Sequence, residues 1–147
     1  MSGADAARLL KLADRVEREK PSRELDCHIH AAVVVRAPVH VIGPPAYDER
    51  RFFARPESSS FDWLGYDLLN VSPAYTTSVD AALMLSAPGL HPDLHDWTWA
   101  EEPYWSASIQ SSKGSAICKF AKAQTPAAAL CAASLRARAA MMEKTDG

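Results

Sequence analysis

Cysteine is scarce in this chain of 147 residues. Its three thiols, Cys27, Cys118 and Cys131, stand far apart and never form a C-x-x-C pair. Their spacing and odd number argue against a zinc knuckle or a disulfide framework, so buried, reduced thiols are expected. Long apolar runs are missing too, and no stretch reaches the length of a bilayer span. The first residues, "MSGADAARLL", carry an acid where a secretory leader needs a basic region. Neither sign of charge is in excess: 16 basic and 18 acidic side chains leave a formal net charge of -2. That balance provides no broad attraction to nucleic acid or to an anionic membrane. G-x-G-x-x-G and P-loop runs are absent, as is a G-x-S-x-G elbow, so nothing marks a phosphate cradle or an activated serine. The expectation is a cytoplasmic protein with no cofactor, no membrane or nucleic-acid partner and no assigned catalytic residue.

The composition, 48% hydrophobic and 23% charged, suits a globular α/β protein, read as one domain over residues 1–147. In "DAARLLKLADRVEREK", Leu9, Leu12, Ala13 and Val16 recur at helical spacing, and Pro21 ends the helix. Ser22 is placed to cap a second helix with Glu24 and Asp26 in its first turn and Leu25, Ile29, Ala32 and Val33 on one face. "VHVIG" reads as a short strand, and residues 43–73 as a long irregular excursion rich in proline and serine. A third helix is expected after "PAYTTS", with Thr77 and Asp80 as its capping box and Val79, Ala82 and Leu83 facing inward. "LHPDLHDW" reads as a loop and "WTWAE" as a further strand. "YWSASIQS" and "SAICKFAKA" alternate as the two strands of a hairpin turned by "SSKG". Thr125 and Pro126 then open a final alanine-rich helix, with Ala127, Leu130, Cys131, Ser134 and Leu135 as a slim packing stripe. The whole is a layered helix–sheet–helix sandwich with an antiparallel-rich sheet.

Three of these stretches, "PSRELD", "PAYTTSVDAALML" and "TPAAALCAASLRARA", together resemble the phage ABA sandwich domain family, small proteins of phages and prophages. The resemblance covers most of the chain and is weakest over residues 36–70. It implies a helix–sheet–helix sandwich and a mobile-element origin. No established activity comes with it, so no catalytic residue is carried over.

Several clusters carry possible chemistry. "LDCHIH" looks like the His-x-His run that holds a metal on the first strand of amidohydrolase barrels. On a strand, His28 and His30 would point the same way; on a helix, residues two apart diverge by about 200°. The cap at Ser22 and the apolar stripe favour the helix, and a barrel of that kind needs about 250 residues. His28 and His30 therefore read as solvated helix-surface residues. No metal site is assigned, and His91 and His95, beside Asp93 and Asp96, form the weaker alternative.

The aromatics Trp97, Trp99, Tyr104 and Trp105 crowd into nine residues. They read either as a cap on the sheet's core or as a recognition surface. Tyr75 and Thr76, before a helix N-terminus, are candidates to receive an anion or a partner's carboxylate. Together these point to a non-enzymatic accessory protein that binds a host or phage protein, with a homo-oligomer as a further partner. The alternatives are a small-molecule or nucleotide binder or hydrolase, using a pocket near Tyr75, His91 and His95, and a structural virion component.

Overall fold

The chain leaves one folding unit at Pro21–Ser22 and re-enters it at Pro73–Ala74, so that Ser22–Pro73 forms an inserted compact unit of its own. The computed structural model describes residues 2–57, 63–111 and 118–146. Both units are mixed α/β, each with a three-stranded antiparallel sheet packed by helices.

The discontinuous unit holds α1 (Ser2–Arg18), α4 (Val79–Leu83), β4 (Leu90–Trp97), β5 (Tyr104–Ser111), β6 (Cys118–Ala123) and α5 (Pro126–Asp146). Helix α1 buries the expected Leu9, Leu12, Ala13 and Val16, with Ala6 beside them. Thr125 Oγ1 accepts the Ala128 N–H at 3.2 Å, so α5 starts where its cap predicts. The slim stripe expected of α5 is instead most of its circumference: Ala128, Ala129, Ala132 and Ala133 are as buried as Leu130 and Leu135. The helix packs against α1 and against all three strands, and methyl side chains let it approach both layers closely. A helix apolar all round is a buried helix, and each buried methyl contributes about 0.8 kcal/mol.

Two further expectations change here. Ser78, not Thr77, caps α4, its Oγ accepting from Ala81 N–H at 3.2 Å. Thr77 is exposed, and so is Leu83, because the helix ends after five residues and never completes the inward stripe. "LHPDLHDW" is a strand, β4, and "WTWAE" is the turn that follows it. Proline and four polar residues hid this strand; they are tolerated because β4 is an edge strand in the order β4-β5-β6. The hairpin of β5 with β6 forms in the register Trp105↔Ala123 to Gln110↔Cys118, while "SSKG" falls largely outside the described residues.

At the other edge, the outward backbone of β6 is taken up by side chains. Glu17 Oε2 accepts the Lys122 N–H at 2.9 Å, and Arg136 Nη1 donates to the Phe120 carbonyl at 2.9 Å. Arg136 also binds Glu17 at 2.6 Å and Asp14 at 2.9 Å, joining α1, β6 and α5 through one guanidinium. Such cover blunts an edge that would otherwise template pairing with another chain.

The inserted unit begins with α2 (Arg23–His30), whose Ser22 cap accepts from Leu25 N–H at 3.1 Å as expected. The helix widens into a π-helical turn at Ala31–Val35, where the β-branched run starts, and closes on Arg36 at φ 59°. Three short strands follow, β1 (His40–Ile42), β2 (Arg51–Ala54) and β3 (Tyr66–Asp67), then the single turn α3 (Leu68–Val71). Of these, β2, β3 and α3 fall within the expected excursion, which leaves room for short strands. Phe52, Ala54 and Leu68 pack with Cys27, Ala31 and Ala37 as the core.

The "RELD" run does more than start a helix. Arg23 Nη1 binds the fully buried Asp26 at 2.9 Å, and Nη2 donates to the carbonyls of Leu69 and Ser72 at 3.0 and 2.8 Å. One guanidinium thus neutralises an interior acid and satisfies the C-terminal carbonyls of α3, which the helix itself leaves open.

Candidate functional site

Strand alternation sorts the side chains of β4, β5 and β6 onto two faces. Ala107, Ile109, Ala121 and Ala123 lie on the face that packs under α5 and are buried. The opposite face presents His91, Asp93, His95 and Trp97 from β4, Tyr104 and Ser106 from β5, and Phe120 and Lys122 from β6. Phe120 is 65% exposed, although a large aromatic would be expected inside.

At one end of this face the aromatics form an ordered group. The rings of Trp97 and Tyr104, directly cross-strand partners, stack at 5.9 Å with 14° between their planes. Trp99 reaches from the turn to within 5.4 Å of Trp97. Trp97 Nε1 donates to Ser106 Oγ at 2.9 Å, which fixes that indole, and the Lys122 ammonium sits 4.5 Å from the centre of the Tyr104 ring. The turn is fixed as well: Asp96 Oδ1 accepts from Thr98 Oγ1 at 2.6 Å and from Thr98 N–H at 2.8 Å. Those bonds, the hydroxyl's first, hold the Asp96 carboxyl below its ordinary range. On this pre-organised turn Trp99 stands 77% exposed.

The residues expected to form the site do not all converge. Trp97, Trp99 and Tyr104 come together. Trp105 belongs to the other face of β5, opposite Asp96 and Ala123, because adjacent strand residues point opposite ways. Tyr75 and Thr76 are interior residues with no surface for an anion or a carboxylate, and the Tyr75 carbonyl receives the Cys131 thiol at 2.9 Å. Phe120 and Lys122 were missed; the "SAICKFAKA" alternation contained them, but not which side would be covered.

The histidines are likewise resettled. His91, Asp93 and His95 share one face of β4, and His95 Nε2 lies 3.3 Å from Asp93 Oδ2, both side chains exposed. Asp96 projects from the opposite face. Among the described residues no three His, Cys, Asp or Glu side chains are placed to hold a metal ion. Residues 25–30 are helical, as their cap and stripe predict, so His28 and His30 diverge. Neither is simply solvated: His28 meets the Phe52 ring edge-on at 6.3 Å, and burial lowers the His30 pKa. Burial also pushes the Cys27 thiol up to about 11, which makes it a poor nucleophile near neutral pH.

Cavities open on both sheets. One, of about 230 Å³, lies beside Tyr104 and Lys122; the other, of about 550 Å³, belongs to the inserted unit. Neither contains Tyr75, His91 or His95. Among the described residues no helix is long and apolar enough to cross a membrane. A comparison of the chain with known protein families, curated proteins and solved structures finds no match.

Proposed function

We propose that this protein is a cytoplasmic accessory protein of a phage or prophage and works by binding a host or phage protein through the aromatic end of the β4–β5–β6 sheet. The observation that carries the reading is Trp99, largely exposed on a hydrogen-bonded turn and backed by the stacked Trp97 and Tyr104. Rigid, exposed aromatics are the usual anchors of protein interfaces, since they bury a large area at little cost in conformational entropy. The phage attribution rests on the resemblance to ABA sandwich proteins and on nothing in the site.

The partner's surface follows from charge. The turn from Thr98 to Pro103 carries Glu101 and Glu102 and no basic residue. Such a rim favours a partner that presents lysine or arginine to the indoles, where cation–π contact adds to ionic attraction.

Affinity capture from host lysate, with the native chain, Trp99→Ala and Trp105→Ala, tests this. A discrete partner lost with Trp99→Ala and kept with Trp105→Ala is the expected result. Recovery of the same partners by all three chains removes the aromatic end from consideration. Sedimentation of the purified chain as a large assembly would transfer the surface to self-association or a virion role.

A further inference from the structure

We propose that this protein forms a two-fold dimer in which β4 pairs antiparallel with β4 of a second copy, joining two β4-β5-β6 sheets into one. The two edges of that sheet are treated unequally. On β6 the outward main chain is taken up by Glu17 and Arg136. Among the described residues, only β5 hydrogen-bonds to the main chain of β4 from His91 to Asp96. The strand is eight residues long, and His91, Pro92, Asp93, His95 and Asp96 are all exposed. An edge left open at this length is a template for another strand.

Proline sets which groups face outward. In an edge strand its nitrogen points away from the ladder, because it has no N–H to give. Main-chain groups alternate along a strand, so those of Pro92, Leu94 and Asp96 face the open side together.

The sequence of β4 is complementary to itself across that side. Consider the register that sets Leu94 opposite Leu94 of the second copy. The two leucines exchange a pair of N–H to carbonyl bonds, and each Asp96 N–H meets a Pro92 carbonyl. Asp93 then falls opposite His95 of the second copy, and His95 opposite Asp93. These are the closer, non-hydrogen-bonded pairs, with Cα atoms about 4.5 Å apart. His95 Nε2 already lies 3.3 Å from Asp93 Oδ2 along the strand, so two imidazoles and two carboxylates alternate around the axis. One neighbouring register sets Asp93 against Asp93, which opposes like charges. The other sets His95 against His95 and leaves Asp93 without an imidazole across the axis. On the reverse face the half-buried Leu94 meets its counterpart and gains apolar contact.

Proline and acids on an edge commonly keep foreign strands away. Here they exclude most strands but admit a second β4, whose histidines receive the acids and whose amides reach the proline carbonyls. The same features therefore provide specificity. A two-fold pairing uses up the edge on both copies, so assembly stops at two chains.

Sedimentation of the full chain from micromolar to millimolar concentration tests this, together with His95→Glu and the double variant His95→Glu with Asp93→Lys. Both positions are exposed, so the fold is kept. A monomer–dimer equilibrium is expected for the native chain. His95→Glu should weaken it by about tenfold or more, by setting an acid against Asp93. Adding Asp93→Lys restores opposite charges across the axis and should recover most of the loss. Amide exchange at Leu94 and Asp96 should slow as concentration rises. The proposal is overturned if the native chain stays monomeric at millimolar concentration, if His95→Glu dimerises as the native chain does, or if the double variant is no stronger than the single one. Trp99 lies outside the paired stretch, so these results and those for the aromatic end are independent.

Discussion

Each unit is tied together by one arginine, and the two arginines meet different company. In the inserted unit Arg23 pairs with Asp26, which is completely buried, and spends its remaining donors on main-chain carbonyls. In the discontinuous unit Arg136 binds Glu17 and Asp14, both partly open to water, and the Phe120 carbonyl. Removing either arginine deletes comparable hydrogen bonds. What remains afterwards differs, because an acid that loses its cation costs most where water cannot reach it. The interiors differ in the same sense. The discontinuous unit surrounds one alanine-rich helix on several sides, whereas the inserted unit rests on a thinner core around Phe52 and Leu68.

The largest expected effect is therefore Arg23→Ala, a loss of about 3 kcal/mol confined to the inserted unit. Hydrogen exchange should show α2 and α3 amides opening while α5 stays protected; equal loss in both units would mean that they unfold as one. Arg136→Ala should cost less, about 2 kcal/mol, and should expose the β6 edge, seen as association beyond that of the native chain. A variant that associates no further than the native chain would show that the edge needs no cover.

Acid separates the units next. Burial lowers the His30 pKa from 6.5, so folding is favoured by the neutral ring above that value and loses this contribution as pH falls below it. Hydrogen bonding by Arg136 lowers the Glu17 pKa from 4.5, so its contribution is present above 4.5 and is lost only as pH falls through the depressed folded value. Protection of the inserted unit in amide exchange should therefore decline as pH falls below 6.5, and His30→Gln should reduce that decline. The smallest effect is Arg36→Gly: relieving the left-handed backbone at φ 59° should change stability by under about 1 kcal/mol in denaturant melts, stabilising if strain outweighs the entropy of the added glycine.

How much of this was legible depended on whether a signal was local. Caps were readable at Ser22 and Thr125, because a side-chain oxygen three residues before a free N–H is a sequence-local arrangement. At α4 the local pattern pointed to Thr77, whereas the hydroxyl that reaches the Ala81 N–H is that of Ser78. Strand β4 was invisible because its composition is that of a loop; its partner β5 supplies the hydrogen bonds that make it a strand. The aromatic cluster was recognisable as a cluster, yet its division between faces required the register. Tyr75 looked available beside a helix start, and only packing placed it inside. The cavity around Phe53 had no sequence trace, since its described walls come from three separate segments, residues 38–42, 53–57 and 63–64.

By itself the sequence determined the mixed α/β class, the starts of α2 and α5, the helical state of "LDCHIH" and hence the divergence of His28 and His30. These follow from interactions between residues a few positions apart, whose geometry any helix or strand supplies. Tertiary structure alone decided that residues 22–73 form their own compact unit, that α5 is buried nearly all round, and that Trp99 and Phe120 stay exposed while Tyr75 does not. Those outcomes depend on which surfaces meet across long separations in the chain. Burial is a property of the assembled layers, so no local pattern could have stated it.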